Sequence, residues 1–496
     1  MINKKDLLVL WLFILIAIQN PCISQSISLQ SDSSLHGKYI NSISASNLSK
    51  HILTLASNSF GGRKMGQSGI DSAANYLEYE YNRLGLQQVV NDYKQEFTIF
   101  DWQYSIQTLT SDQFQIEVFP TWNGALMDSA ELVFVGDGYE KDYAGISVED
   151  KMVAYYHRET SMLDPSESQP VIALRHDAKY RLCIHADSES FKSQMEKSQA
   201  FDPRAKLTDV SDKTRKAILF NVTEEDFRKL YNVEENIFLD QYHEEGKLSK
   251  GQRKQIIKQV YLNLDYHTKP ITTSNIVGVI EGSDLKEEAI VISAHYDHLG
   301  TTLEDIFHGS DDNASGTSAL LEIARVFMMA KADGNGPRRT VVFVAFSAEE
   351  EGLLGSEYYV QNAVFPLKKT VANLNFDMVG RVSEEKQDNP NYVYVIGSSH
   401  RSEKIYQINE QVAERFLPIL NLDYTFDDPN SAEQLYKRSD QYHFMKNNIP
   451  ALFFTDMMKA DFHKSSDTAD KIDLQQLKIR TQLGFGTAWE LANRDD

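Results

Sequence analysis

Residues 289–298 read AIVISAHYDH, and this stretch decides how the rest of the chain is interpreted. The first six residues are apolar apart from Ser293 and follow a charged segment, which predicts a strand buried on both faces of a sheet. His295 ends this strand, and Asp297 lies two residues further on, where a carboxylate can orient the imidazole. A single histidine at a strand end is usually an ordinary hydrogen-bonding residue, so this stretch alone does not define a site.

Four further motifs each place an acidic residue or a histidine at the end of an apolar run or just beyond it. They are SDDNASG at 310–316, SAEEEG at 347–352, NFDM at 375–378 and FHKSSD at 462–467. Imidazole and carboxylate together form a ligand set for zinc and similar divalent ions. Five such motifs at successive junctions between strand and loop are difficult to attribute to chance, and they predict a metal site.

The neighbouring acids in two of these motifs allow a division of roles. Asp311 and Asp312 precede a helix, where aspartate is also a favoured capping residue, so one can be a ligand and the other a scaffold. Residues 349–351 are all glutamate and follow the strand predicted at 340–346. One carboxylate of this run can bind metal while the next accepts a proton from water.

The alternation of predicted strands and helices after residue 271 indicates an α/β protein with a mixed, mostly parallel sheet flanked by helices. In such sheets, sites form beyond the carboxyl ends of the strands, which is where the five motifs fall. A smaller β-rich domain is predicted to interrupt the main one. The predicted division is a signal at 1–24, main-domain parts at 25–114 and 263–496, and the insert at 115–262.

The composition excludes some classes of protein. The chain has 496 residues and a formal net charge of -21, so nucleic acid is not an expected partner. Only Cys22 and Cys183 are present, and no internal disulfide is expected in the mature chain. Neither the Gly-x-Ser-x-Gly pattern of serine hydrolases nor a His-Glu-x-x-His helix occurs in the sequence.

The N-terminus is typical of an export signal. Lys4 and Lys5 precede an apolar run at 7–18, which is too short to cross a bilayer, and a polar segment with small residues follows. Cleavage is expected after Ser24, giving a periplasmic or secreted protein with no stable membrane span. Lipid attachment at Cys22 is the alternative, although Asn20 and Pro21 suit that processing poorly.

Taken together, the motifs resemble those of the M28 family of zinc aminopeptidases and related exopeptidases. The resemblance covers roughly residues 45–110 and 270–490, and it rests on AHYDHLG, DDNASG, EExGLLGS and NxDMVG. It implies the zinc exopeptidase fold, which is similar to the phosphorylase/hydrolase-like fold. The segment from about 115 to 260 resembles a protease-associated domain, mainly through VFVGDGY at 133–139 and DYAG at 142–145.

The resemblance implies two zinc ions and a role for each matching residue. One ion is held by His295, Asp312 and Asp377. The second is held by Glu350 and His463, with Asp312 bridging both ions. The remaining two roles are those of Glu349, as general base, and of Asp297, as support for the histidine ligand.

Two positions depart from the family pattern. Phe462 stands where a tyrosine usually precedes the last histidine, so a phenol that could stabilise the oxyanion is missing there. The family's Ser-Asp-His appears as Ser439-Asp440-Gln441. We give His298 a structural role and treat His308 as an ordinary loop residue.

The expected activity is the release of N-terminal residues from peptides. A carboxypeptidase or dipeptidase on the same metal centre is the alternative, and it would need a cation such as Arg381 facing the substrate carboxylate. A peptidase-like binding protein without metals is disfavoured by the intact ligand set. A glutaminyl cyclase is disfavoured because the chain carries a large insert and a full two-metal set.

Overall fold

The structure is a computed structural model that covers most of the chain. It describes residues 30, 33–111, 114–120, 126–157, 169–189, 191–192, 205–206, 218–247, 249, 252, 257–397, 402–428 and 434–496. The predicted signal at 1–24, with Cys22 and its expected cleavage site, lies outside the described residues. Within the described residues, no helix combines the length and apolarity needed to cross a membrane.

Eleven α-helices are described. In chain order they are α1 (Ser33–Ile40), α2 (Ala45–Leu55), α3 (Ser68–Leu84), α4 (Gln169–Arg175), α5 (Glu224–Lys229), α6 (Val233–Glu245), α7 (Gly316–Ala332), α8 (Leu354–Gln361), α9 (Glu403–Phe416), α10 (Gln441–Lys446) and α11 (Leu474–Asn493). Several have recognisable ends: Ser44 caps α2 with its side chain, and Gly85 ends α3 in the left-handed conformation.

Eighteen strands are described. They are β1 (Gln87–Gln88), β2 (Lys94–Ser111), β3 (Phe114–Glu117), β4 (Phe119–Pro120), β5 (Leu126–Gly136), β6 (Met152–Tyr156), β7 (Tyr180–His185), β8 (Ala205–Lys206), β9 (Ile218–Thr223), β10 (Lys258–Ile280), β11 (Leu285–His295), β12 (Gly300–Thr301), β13 (Ile306–Phe307), β14 (Arg339–Phe346), β15 (Thr370–Phe376), β16 (Tyr392–Ile396), β17 (Asn421–Asp423) and β18 (Ala451–Thr455).

The main part of the sheet has the strand order β17-β16-β18-β15-β11-β14-β10. Strands β18, β15, β11 and β14 run parallel to one another, whereas β16 pairs antiparallel with β18 and β10 antiparallel with β14. Alternate residues of β14 face two cores: Val341, Phe343 and Ala345 face one, and Val342 and Val344 the other. The predicted class, a mixed and mostly parallel sheet flanked by helices, is confirmed.

The middle of the chain builds a second set of parallel strands, in the order β5-β6-β7-β9. It has its own two cores, drawn from residues between Leu109 and Leu264. No described residue of that span belongs to either core of the main sheet. Separate cores favour an inserted domain, and the limits of 115 and 262 stay a prediction about where it begins and ends.

A long two-stranded ribbon, β2 paired with β10, joins the two parts. The sequence pattern predicts short strands from about Trp102 and a strand at 275–280. The observed strands β2 and β10 are much longer, so the predicted lengths are wrong. Only residues 273–280 of β10 are continuously buried; residues 265–272 are exposed or half-buried. Their pairing is held by backbone hydrogen bonds, which leave no apolar periodicity in the sequence.

The ribbon leaves the main sheet at the edge where the predicted ligands lie. Because β10 runs antiparallel to β14, Ile276 pairs with Ala345, close to the carboxyl end of β14. Residues before Ile276 therefore extend beyond that edge. The Thr273 and Ser347 hydroxyls are 2.7 Å apart, and the Tyr296 hydroxyl donates to the Ser274 carbonyl at 2.7 Å. The ribbon consequently leaves the main sheet on the same side as the candidate site.

Candidate metal centre

Neighbouring strand ends bring the predicted ligands together. Strand β11 lies between β15 and β14 and is parallel to both, so the carboxyl ends of all three meet at one edge. His295 ends β11 opposite Phe346, and Asp377 and Glu349 follow β15 and β14 closely. This register places side chains from distant parts of the sequence, such as His295 and Asp377, within hydrogen-bonding distance.

His295, Asp312 and Asp377 form the first cluster. His295 Nε2 lies 3.1 Å from Asp377 Oδ1 and 3.3 Å from Asp312 Oδ1. All three residues are buried, and their donor atoms lie close enough to surround one ion. Tetrahedral zinc with bonds of roughly 2.1 Å separates its ligand atoms by roughly 3.4 Å, and the observed spacings suit that geometry.

His463, Asp312 and Glu350 form the second cluster. His463 Nε2 lies 3.1 Å from Glu350 Oε2 and 3.3 Å from Asp312 Oδ2. The two oxygens of Asp312 therefore face different imidazoles, Oδ1 towards His295 and Oδ2 towards His463. This is the arrangement needed for one carboxylate to bridge two ions. All five residues predicted as metal ligands are thus gathered around one centre.

The carboxylate of Asp297 accepts backbone N–H groups from Glu349 and Glu350, each at 3.2 Å. It also lies 3.8 Å from His295 Nδ1, which is 3.3 Å from the backbone oxygen of Asp297. Asp297 therefore positions the glutamate turn as well as the histidine, which is more than the supporting role implied by the family resemblance.

The other ligands are also held by hydrogen bonds from outside the cluster. Ser439 Oγ donates to Asp377 Oδ2 at 2.6 Å, and the carboxylate of Asp467 accepts the backbone N–H groups of Asp311 and Asp312. Asp311 Oδ1 accepts the N–H of Gly380 at 2.8 Å. Asp311 is therefore a scaffold, while its neighbour Asp312 faces the imidazoles. Such supports fix ligand orientation in metal sites.

Glu349 stands beside the clusters without joining either. Its Oε2 is 4.0 Å from His295 Nε2, farther than any of the ligand spacings above. The side chain is almost fully buried, and burial, together with Asp377 and Glu350, raises the pKa of Glu349 well above its usual range against the opposing charge of His295. A carboxyl group with a raised pKa next to a metal cluster suits proton transfer.

The imidazoles respond to the same carboxylates in the opposite way. Burial alone lowers the pKa of His463, but Glu350 and Asp312 outweigh burial and raise it to about 11. Burial likewise lowers the pKa of His295, but the charges of Asp377 and Glu349 outweigh burial and raise this pKa well above its usual range. The cluster therefore attracts positive charge strongly, as a site for divalent cations must.

The two departures from the family pattern have visible consequences. The Phe462 ring stacks on the His463 ring with centroids 3.8 Å apart, and 46% of Phe462 is exposed. At the other departure, Gln441 Oε1 accepts a hydrogen bond from Asn375 Nδ2 at 3.1 Å. Gln441 thus packs behind β15, and Ser439 keeps its contact with Asp377.

Arg63 follows two glycines in the sequence and belongs to none of the five motifs. It is fully buried, and its guanidinium donates to the backbone carbonyls of Leu55, Tyr296, His308 and Gly309 at 2.7–2.8 Å. Burial lowers its pKa to about 10, and the nearby acids of the cluster oppose that shift. A Gly-Gly-Arg tripeptide gives little signal of this role, because most of its partners are backbone atoms from a distant part of the chain.

Replacing Arg63 with Met is expected to destabilise the fold by at least about 3 kcal/mol, because several buried carbonyls lose their donor at about 1–3 kcal/mol each. Urea denaturation followed by fluorescence measures the change. Arg175→Met is the matched control: Arg175 is half-exposed and pairs with exposed Glu140, so its loss should cost less than about 1 kcal/mol. Equal effects of the two substitutions would contradict the role of Arg63.

The fold and the site together define a class of protein. An α/β sheet that carries two imidazole–carboxylate clusters sharing one aspartate, with a separate glutamate beside them, is the site of a metal-dependent hydrolase. Comparison with known sequences narrows this class. Residues 275–484 match the family described as "Peptidase family M28".

Individual relatives agree with the family match. Aminopeptidase YwaD of Bacillus subtilis is 28% identical over 246 residues, which are 48% of this chain and 49% of that protein. The alignment with this curated relative therefore spans about half of its length.

Two solved structures resemble the fold. An aminopeptidase from Aneurinibacillus sp. strain AM-1 aligns with a TM-score of 0.57 at 19% identity, covering 93% of this chain and 97% of its own. BSAP, a zinc aminopeptidase from Bacillus subtilis, aligns with a TM-score of 0.56 at 20% identity, covering 92% and 96%. At 19% and 20% sequence identity, the similarity to these two structures shows a shared fold and nothing more.

Proposed function

We propose that this chain is an exported di-zinc aminopeptidase that releases N-terminal residues from peptides. The observation that carries the proposal is the pair of clusters that share Asp312, with Glu349 beside them. The donor set of three carboxylates and two imidazoles suits zinc, and several relatives are named as zinc enzymes or aminopeptidases. Cobalt and manganese accept similar ligands, so metal analysis belongs in the first experiment.

The residues have separate tasks in peptide hydrolysis. His295, Asp312 and Asp377 would hold one zinc ion, and Asp312, Glu350 and His463 the other. When bound, the two zinc ions would act as a Lewis acid towards the peptide carbonyl and would lower the pKa of water. Glu349 Oε2 accepts the proton of the attacking water and afterwards gives it to the leaving amine nitrogen. Asp297 keeps Glu349 in place, because the Asp297 carboxylate accepts the backbone N–H of Glu349.

The aminopeptidase proposal is tested with matched peptides. One set carries a free amino terminus, the second is N-acetylated and the third is amidated at the carboxyl terminus. Cleavage of the first and third sets, but not of the second, supports the proposal. Cleavage that requires a free carboxyl terminus would instead establish the carboxypeptidase or dipeptidase alternative, and a protein with neither bound metal nor activity would be a binding protein.

The geometry of Arg381 disfavours the carboxypeptidase alternative. That reading requires a cation facing the substrate carboxylate. Arg381 Nη2 instead lies 3.0 Å from Asp461, and Nη1 lies 3.9 Å from Asp467, with the side chain largely buried. The charge of Arg381 is therefore already directed to two acids of the chain itself.

Zinc affinity is expected to increase with pH. Below a pKa of about 11, His463 of the metal-free protein carries a proton, and a metal ligand must be neutral, so each zinc ion displaces protons on binding. As pH rises towards that pKa, the competition weakens. Calorimetric titration between about pH 6 and about pH 8, in two buffers with different ionisation enthalpies, measures affinity and proton release. Affinity without pH dependence and without proton release would contradict the expectation.

We also propose that the inserted domain limits the length of peptide that reaches the site. The ribbon carries it beyond the catalytic edge, and the charge of Asp101 on β2 acts on Glu351. Tyr261 pairs with Thr110, and Phe114 pairs with the adjacent Ser111, so the ends left by removing residues 115–260 are close enough for a short linker. The shortened enzyme should cleave long peptides more efficiently relative to short ones; an unchanged length preference would exclude the proposal.

Export remains a proposal that rests on Lys4, Lys5 and the apolar run at 7–18. N-terminal sequencing of the protein recovered from outside the cytoplasm should begin at Gln25. A mature chain that still carries Met1, or that carries lipid on Cys22, would exclude cleavage after Ser24.

A further inference from the structure

His298 is buried beside the second cluster, and the proposed mechanism gives it no task. Its Nδ1 lies 2.7 Å from Glu350 Oε1 and 3.8 Å from Asp312 Oδ2. Two interpretations fit its position: His298 is a further ligand of the second ion, or it supports a ligand from outside.

The distances separate these interpretations. The imidazole nitrogens and carboxylate oxygens that would share an ion are 3.1–3.3 Å apart in both clusters. His298 Nδ1 is closer than that to Glu350 and farther than that from Asp312. The separation between His298 and Glu350 is that of a short charge-assisted hydrogen bond. It is shorter than the distance between two ligand atoms of one tetrahedral zinc ion. The geometry therefore favours an N–H donated by His298 to Glu350 Oε1.

The ring of His298 is fixed in this orientation from behind. A Cβ on Gly309 would approach His298 Cγ and Cδ2 to 2.5 Å, so the ring packs directly on the backbone at a residue with φ of +55°. The backbone N–H of His298 donates to the carbonyl of Arg63 at 3.3 Å. His298 Nε2 is buried and has no hydrogen-bond partner within the described residues. Its polar contact is consequently directed to Glu350.

We propose that His298 is a positioning residue that occupies Oε1 of Glu350 and thereby directs Oε2 towards His463 and the second ion. This inference rests on the proposed zinc function of the same site. His298 binds Oε1 of Glu350, and Oε2 faces His463, so Glu350 offers the second ion a single oxygen in a fixed direction. Supports of this kind typically change metal affinity by about 10–100-fold when they are removed.

The test compares His298→Asn with His298→Leu in the full chain. The Asn side-chain amide can place an N–H near the position of Nδ1, whereas Leu fills similar space without a donor. Zinc is removed and then titrated back in competition with a chromophoric chelator, which measures affinity without any enzyme assay. His308→Asn and His308→Leu are matched controls, because His308 is half-buried outside both clusters, with Nδ1 2.9 Å from the Ala56 carbonyl.

The expected result is that His298→Leu weakens one of the two zinc affinities by about 10–100-fold, while His298→Asn and both His308 variants stay close to wild type. Unchanged zinc binding in His298→Leu would overturn the proposal. Equal losses in His298→Asn and His298→Leu would also overturn it and would favour His298 as a ligand.

If His298→Leu does not fold, His298→Ala takes its place: weakened zinc affinity beside retained affinity in His298→Asn supports the proposal, and unchanged affinity refutes it. Failure of the proposed function is distinguishable from failure of this inference. A wild-type protein that binds no zinc refutes the former, whereas normal wild-type binding with an unaffected Leu variant refutes only the latter.

Discussion

Replacing Glu349 with Gln is expected to reduce turnover by about 10²–10⁴-fold, the usual contribution of a general base, while both zinc ions remain bound. Gln has nearly the same shape as Glu but cannot accept the proton of the attacking water. The carboxylate is also 4.0 Å from His295, outside the spacing of the ligands. Steady-state kinetics and metal analysis of the same preparation measure the two quantities together.

The run of three glutamates supplies its own controls. Glu350→Gln should lose zinc as well as activity, because Glu350 Oε2 faces His463 in the second cluster. Glu351→Gln should change neither, since Glu351 belongs to neither cluster of ligands, and the charges that act on it besides Glu350 are those of Lys64 and Asp101. Loss of metal in Glu349→Gln with retained metal in Glu350→Gln would mean that the two roles are exchanged.

The second large effect is expected for Asp312→Asn. The two oxygens of Asp312 face different imidazoles, at 3.3 Å in each case. An amide keeps one oxygen and turns the other position into a donor, so the bridge between the ions is lost. The variant should retain at most one tightly bound zinc, and turnover should fall at least as far as in Glu349→Gln. Atomic emission spectroscopy of dialysed protein measures the metal content.

Asp311→Asn is the matched control, one residue away with the same change. Asp311 is equally buried but accepts the N–H of Gly380, and burial near Asp456 and Asp467 raises its pKa well above the usual range. An amide resembles the neutral carboxyl group that this pKa implies, so zinc content should be kept. Similar metal loss in both variants would show that burial of an acid in this loop, and not the bridging geometry, controls metal binding.

Much of the site was predictable from the sequence because its ligands end strands. The apolar runs before His295, Glu349 and Asp377 mark buried parallel strands, and parallel strands align their carboxyl ends. Residues that follow such runs must therefore meet at one edge. The resemblance to a peptidase family then separated Asp312 from Asp311 and Glu350 from Glu349, a choice that composition and periodicity leave open.

The supports around the ligands could not be predicted in the same way. Arg63 contacts four backbone carbonyls, and His298 contacts one carboxylate oxygen through a distance of 2.7 Å. The backbone carbonyls that Arg63 contacts exist at any residue type, and neither interaction requires a particular spacing in the chain. The ribbon of β2 and β10 escaped prediction for a related reason, since its exposed middle is held by backbone pairing between strands that are far apart in the sequence.

The sequence by itself determined the class of sheet, the positions of its buried strands along the chain and the identity of the groups available at their ends, because burial dictates apolar runs and metal chemistry dictates imidazole and carboxylate. Only the tertiary structure decided which oxygen of each carboxylate faces which imidazole, and which buried groups hold them there. Those choices depend on contacts of a few ångströms between distant segments, and such distances exist only once the chain has folded.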